Sequence, residues 1–579
     1  MGDTTLSHGS IKLIGYWRNR CSKEHKTCKL SIQTWEKYIG FDIPDFVGPT
    51  RLIEVGTHDE PVLRLRYSKD LQDPYAPYVS LSHCWGTQPI LRLTSENHDS
   101  FLEEIPYENL PRTFQHIVDI TRTFKNINYL WIDSLCILQD SPSDWEQESL
   151  KMHEVYTNSV ITFAAAQASD GSIGCGVIRD SSVLYPPVIT FTRNRTWVEW
   201  LQSVVNQDRQ PDLPEGDYLC VDTGLWEREI DQSPLADRGW VAQERFLSRQ
   251  IVYFARSQLF WECAEMKACE SFPLGCPLSM RTVEVFPEGH ALLKKSFHGL
   301  EKLNRYEILG IWDKLVTAYS SLKLSRTKDK LNAIAGMAQQ FRLPLMAAGG
   351  DFCDYSAGLW TGIRGSHTVS QLLWHTKEPQ LRPNPSRAPT WSWASVDSPV
   401  TDVFAMRTVE SERIKKIAGS YHCVEMNLVR EGMGAQYGEN RGGEVRLYGM
   451  LIPASLILYD YEEDHDTGHI LELRKSAGYF VGISIWLDVL QQNIEGRLHC
   501  VPLVARYNDA TATSVEGLIL RRIAGKGTYH RIGVFWSAER EVIEDLMAPP
   551  TPEELDISDD CYLEKKTHYP TQPFVFLIK

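Results

Sequence analysis

The stretch that decides the fold is Tyr129-Leu130-Trp131-Ile132-Asp133-Ser134-Leu135-Cys136, residues 129–136. A continuous apolar run closed by an acid reads as a strand buried on both faces that delivers Asp133 to its carboxyl end. Upstream, Leu110, Phe114, Ile117, Thr121 and Phe124 recur at helical spacing, and Pro111 suits a first helical turn. Before them, Tyr78-Val79-Ser80-Leu81-Ser82 forms a strand running into His83-Cys84-Trp85-Gly86. Downstream, Ser143 and Glu146 have capping-box spacing and open a helix that turns Glu148 inward among Trp145, Met152, Val155 and Tyr156. Val160–Ala165 then reads as another buried strand. Strands alternating with helices predict βαβ units, hence an α/β fold with a parallel sheet covered on both faces. Ligands bind such sheets beyond the carboxyl ends of the strands. That rim carries Ser82 to Gly86, Asp133 to Cys136, and the turn after Ala166.

Around this unit, at about 76–250, residues 1–75 read as an N-terminal extension and 180–232 as an insertion or long loop. Residues 251–418 read as a mostly helical region, and 419–579 as a β-rich C-terminal domain. Its strands are expected near 444–448, 499–504, 517–520 and 532–536. There is no internal repeat of fixed period.

The 579 residues carry a net charge of −15, which argues against a nucleic-acid partner because a phosphate backbone needs a basic footprint. No apolar run is long enough to span a membrane, and the first residues lack the apolar core of a signal peptide. Thirteen scattered cysteines read as reduced thiols, so the expected compartment is the cytoplasm. Cys21, His25 and Cys28 share one helical face if that segment is helical. They form either a zinc edge lacking a fourth ligand nearby or a face of small buried residues. Seventeen tryptophans are the compositional oddity, and Trp85, Trp131, Trp145 and Trp240 cluster in the α/β segment.

Glu148 is the leading carboxylate, with a structural pairing to Arg112 or Arg238 as its alternative. Ser82, Trp85 and Gly86 offer a backbone approach and a stacking face, or a packed strand-exit turn. Asp133 is placed either to bind a ligand hydroxyl at the rim, to cap the next segment or to pair with an arginine. Trp240, Gln243 and Glu244 share a helical face. Glu244 is the rival carboxylate, and its structural alternative is a clamp with Arg238. Cys84 and Cys136 read as buried structural thiols. The run Gly171–Gly176 is not a G-x-G-x-x-G loop, so neither a Rossmann nor a P-loop site is expected.

Seven ordered segments together resemble the fungal heterokaryon incompatibility (HET) family. They are YVSLSHCWG at 78–86, LPRTF at 110–114, YLWIDSLCILQD at 129–140, DWEQESLKMHEVYTNS at 144–159, RGWVAQERFLS at 238–248, DKLNAIAGMA at 329–338 and APTWSWASVD at 388–397. His83 stands where many relatives have Tyr. The resemblance implies an effector of non-self recognition that triggers cell death. At one remove it implies a TIR-like, flavodoxin-like sheet and cleavage of NAD at the nicotinamide–ribose bond. NAD is then the substrate, no cofactor is required, and the partners are a second copy of the chain and an upstream sensor protein. Catalysis falls to Glu148 or Glu244. Ser82, Trp85, Gly86, Arg112, Asp133, Trp145, Arg238, Trp240 and Gln243 are the substrate-binding candidates. Enzymatic TIR domains usually place the Glu four residues after a Trp, whereas Trp145 and Glu148 are three apart.

Overall fold

The structure is a computed structural model. It describes residues 2–29, 48–73, 75–192, 215–280, 294, 299–348, 353–361, 370–376, 378–401, 414–416, 423–427, 443–449, 451–460, 467–473, 483–490, 497–508, 511–547, 560–563 and 574–579. The chain divides into two compact units. The first comprises Met1–Glu148, Glu154–Asp237 and Glu244–His298, and the second Ser149–His153, Arg238–Gln243 and Gly299–Lys579.

In the first unit, helix α1 (His8–Glu24) precedes strands β1 (Arg51–Glu54), β2 (Arg64–Tyr67) and β3 (Tyr78–Ser82). Helix α2 (Arg112–Arg122), strand β4 (Tyr129–Trp131), helix α3 (Pro142–Asn158) and strand β5 (Ile161–Ala164) follow. Helix α4 (Gly239–Leu247), which belongs to this unit only from Glu244 on, leads into β6 (Gln250–Phe254), β7 (Leu259–Cys263) and β8 (Lys267–Cys269). One eight-stranded sheet results, ordered β8-β7-β6-β5-β3-β4-β1-β2. Its middle four strands, β6, β5, β3 and β4, are parallel. Antiparallel pairs extend it on both sides. The parallel α/β reading therefore holds, and the sheet draws strands from before residue 76 and after residue 250.

Numbered along the chain, the parallel strands lie in the order 2-1-3-4. The crossover from β3 to β4 runs one way across the sheet, and that from β4 to β5 runs back past β3. Right-handed crossovers, the rule for such units, place α2 and α3 on opposite faces. The order reverses between β3 and β5, and the crevice beyond their carboxyl ends is the topological switch point.

Local sequence explains the elements. Phe114, Ile117, Val118 and Thr121 of α2 are buried, following the predicted stripe. Phe163 of β5 packs edge-on against Phe254, and Trp131 of β4 against Tyr156 of α3. The start of α3 differs from the capping-box expectation. Its N-cap is Ser141, whose hydroxyl accepts from the Asp144 amide, with Pro142 at the first position. Proline has no N–H to satisfy there, so the helix begins two residues earlier.

The second unit contains helices α5 (Arg305–Ser320) and α6 (Asn332–Ala347) and a ten-stranded sheet. Its main path uses β9 (Cys423–Asn427), β10 (Glu444–Gly449), β11 (Ile452–Asp460), β12 (Thr467–Leu473), β13 (Leu498–Asn508), β14 (Thr511–Arg522), β15 (Thr528–Ser537) and β16 (Phe574–Ile578). The β-rich C-terminal region is thus observed, with all four expected strands in place. Among the described residues, no helix is long and apolar enough to cross a membrane.

Candidate switch-point site

The loop leaving β3 carries the first functional side chains. The Trp85 Nε1–H donates to Asp133 Oδ2 at 2.7 Å, joining the exits of two adjacent parallel strands. Asp133 Oδ1 accepts the Ser134 amide at 2.7 Å and lies 3.7 Å from His83 Nε2. His83 is buried and stands edge-on to Phe114 at 4.9 Å. Asp133 therefore caps its own turn and also fixes the plane of the Trp85 indole.

Gly86 has a φ of +68°, and a Cβ there would sit 2.3 Å from the Cβ of Asp170. Only glycine fits, because the loops after β3 and β5 close on one another at the switch point. The close approach made by Gly86 is to Asp170, where the sequence offered a ligand. Ser82, the last residue of β3, is buried.

Beside these loops lies a cavity of about 520 Å³, lined by Trp85, Gln88, Pro89, Ile90, Leu91, Asn109, Leu110, Pro111, Arg112, Gln115, His116, Gly171 and Ser172. The first turn of α2 closes one side, and the Thr113 amide donates to the Gly171 carbonyl at 2.9 Å. Arg112 is exposed and has no ion-pair or hydrogen-bond partner among the described residues. His116 accepts the Cys175 amide on Nδ1 at 3.0 Å. Burial, and then the charge of Arg112, hold its pKa below the usual histidine range. With Nδ1 accepting, the neutral ring carries its proton on Nε2. Gly174, with a φ of +83°, leaves no room for a Cβ beside the His116 ring. The Gly171–Gly176 run thus seats a histidine.

Of the proposed binding residues, Trp85 and Arg112 line this cavity and Asp133 braces it. Trp145, Arg238, Trp240, Gln243 and both glutamates are outside its lining. Glu148 is 3% exposed and accepts from the Thr50 hydroxyl at 2.6 Å. Its neighbour Arg51 is buried, donates to the Cys136 carbonyl at 2.7 Å and pairs with Asp144. Burial depresses the Arg51 pKa, but Asp144 and then Glu148 outweigh it and leave it raised. Glu148 thus has a hydroxyl donor and a nearby guanidinium from the segment before residue 76.

Glu244 is also buried, on α4. Arg245, the next residue, holds the ion pairs there, to Asp231 and Glu262. Within the second unit, Gln243 Oε1 accepts the Gly336 amide at 3.1 Å. Cys84 and Cys136 are buried, and burial pushes the Cys136 thiol up to about 12, far from an activated thiolate.

The N-terminal segment assembles a second cluster. Cys21, His25 and Cys28 come together with Cys263, the last residue of β7, and their ligand atoms all lie within 4.8 Å of one another. The nearby segment supplies three of the four groups, and the fourth comes from the edge of the sheet. No spacing rule could have found a cysteine 238 residues from His25.

The sheet with its parallel centre and the helices around it define an α/β domain with a cavity at the switch point. Residues 78–244 match the model of the family described as heterokaryon incompatibility protein (HET), so the chain carries a HET domain over that segment. No curated protein and no solved structure matches it. The domain points to a role in heterokaryon incompatibility and cell death.

Proposed function

We propose that the HET domain is a non-self recognition effector that binds NAD in the switch-point cavity and cleaves its nicotinamide–ribose bond. The observation that carries this reading is the Trp85 indole, held by Asp133 in the wall of a cavity of about 520 Å³. That volume falls within the ordinary range for small-molecule sites. The indole offers a stacking face for nicotinamide or adenine. The exposed guanidinium of Arg112 offers a charge-assisted bond to pyrophosphate. The neutral His116 adds a hydrogen-bond donor.

Cleavage builds positive charge on the ribose, which a carboxylate stabilises. Glu244 is the better candidate. It follows Trp240 by four residues, the spacing of the TIR resemblance, whereas Glu148 follows Trp145 by three. None of the cavity's lining residues is a carboxylate. The reading therefore places the reactive carboxylate on a second copy of the chain, and because Glu244 is buried in the single chain, self-association must also uncover it to switch activity on. The same composition of the wall favours a second reading, in which the domain is a non-enzymatic death-signalling adaptor whose rim and aromatic surfaces bind another protein.

Mixing variants tests the first reading. Trp85→Ala and Glu244→Ala proteins, each inactive alone, should regain nicotinamide release together. Release by Glu244→Ala alone, at the rate of the unaltered protein, removes Glu244 from the reaction.

A further inference from the structure

We propose that Cys21, His25, Cys28 and Cys263 bind one structural zinc ion, which clips the N-terminal helical segment to the edge of the eight-stranded sheet.

The geometry points to a metal. His25 Nδ1 lies 3.3 Å from Cys263 Sγ and 3.9 Å from Cys28 Sγ. Tetrahedral zinc, with Zn–S near 2.3 Å and Zn–N near 2.05 Å, requires S···N edges of about 3.6 Å. The two observed edges straddle that value. Three thiols and one imidazole converge on one point, a donor set that suits zinc and that no disulfide explains.

The ligands are held by independent means. Cys21 is fully buried in the last turn of α1, and His25 is the helix's C-cap, its amide donating to the Cys21 carbonyl at 3.2 Å. Cys28 lies in the one-turn helix Lys26–Lys29. Cys263 ends β7, and its amide donates to the Met266 carbonyl at 3.0 Å, closing a tight turn into β8. Other contacts dock α1 on the same sheet edge. Trp17 packs against Trp261 of β7, its Nε1–H donating to the Pro273 carbonyl at 2.7 Å, and the Ser10 hydroxyl donates to Glu270 at 2.6 Å.

Four protein ligands leave no open position for water or substrate, so the ion is structural. Its role is to hold α1 on β7, closing a chain loop of 238 residues between His25 and Cys263.

The test is metal analysis of the full-length protein purified without added metal, with Cys263→Ser, His25→Cys and Cys220→Ser alongside. Cys220 lies outside the cluster. The expected content is about one zinc per chain in the unaltered protein, His25→Cys and Cys220→Ser, and near zero in Cys263→Ser. Cobalt substitution should give the visible ligand-field bands of a tetrahedral site with three sulfurs and one nitrogen in the unaltered protein. In His25→Cys those bands should shift towards the pattern of four sulfurs. If Cys263→Ser fails to fold, the cobalt spectra of the other proteins decide. Unaltered protein without zinc that does not take up cobalt overturns the site. So does zinc retained in Cys263→Ser, or a cobalt spectrum indifferent to His25→Cys.

Discussion

The Trp85 indole donates to the Asp133 carboxylate at 2.7 Å, and this one bond couples the exits of the two parallel strands β3 and β4. It makes the cavity wall at the switch point dependent on a side chain that is not itself in the lining. A hydrogen bond to a charged acceptor contributes about 1.5–3 kcal/mol. Asp133→Ala should destabilise the protein by roughly 2 kcal/mol in urea unfolding, since it also removes the cap on Ser134. It should weaken NAD binding about tenfold, read by quenching of tryptophan fluorescence. Asp133→Asn keeps an acceptor for Trp85 and should lie between the two.

Gly86 is a purely steric prediction. With φ at +68° and Asp170 Cβ 2.3 Å from where a methyl would sit, Gly86→Ala should cost about 2–4 kcal/mol. Denaturant unfolding measures this. A loss under about 0.5 kcal/mol would mean that the two loops separate freely.

The two glutamates should behave differently. Glu148→Ala removes the carboxylate acceptor of the Thr50 hydroxyl and one of the two carboxylates near Arg51, at a cost of about 1–3 kcal/mol. Glu148→Gln keeps an acceptor for Thr50 and should retain most NAD cleavage. Glu244→Gln, which keeps the size of this buried side chain, should abolish cleavage. Thermal melts and a nicotinamide assay on the same preparations separate stability from chemistry.

Lys330 gives the second unit a pH signature. Its Nζ is buried, donates to the Val396 carbonyl at 2.7 Å and lies 5.7 Å from the Trp393 ring centroid. Burial, and then the charge of Arg387, pull its pKa down to about 7 against partial opposition from Asp397. Between pH 7 and the unfolded value near 10.5, the unfolded chain holds a proton that the folded chain does not. Stability therefore rises with pH across that window, by about 1 kcal/mol per unit, and is flat in this contribution below it. Lys330→Met should remove the slope. Urea midpoints at pH 7, 8 and 9 check the sign.

The strands and α2 were legible because burial on both faces leaves continuous apolar runs and a helix leaves a periodic stripe. Tyr78–Ser82, Tyr129–Trp131 and Ile161–Ala164 fall where the pattern placed them. The meeting of Trp85 and Asp133 was legible as a shared rim, because parallel pairing brings the exits of neighbouring strands to one edge. What was not legible depends on long-range contact. The segment before residue 76 gave no sign that Thr50 and Arg51 would meet Glu148 and Asp144. Cys263 is a lone cysteine in a strand until the fold brings it to Cys21. His116 lies on the more polar side of α2, and only the loop at Gly174 and Cys175 reveals its place in the cavity. The start of α3 was misplaced because Ser143 and Ser141 both have capping chemistry, and the proline between them decides.

The most direct test of the central claim is nicotinamide release from NAD by the purified full-length protein over a range of protein concentrations. The account predicts release that rises faster than linearly with concentration and disappears in Trp85→Ala. No release from protein shown to be oligomeric, or release that survives Trp85→Ala unchanged, would contradict it.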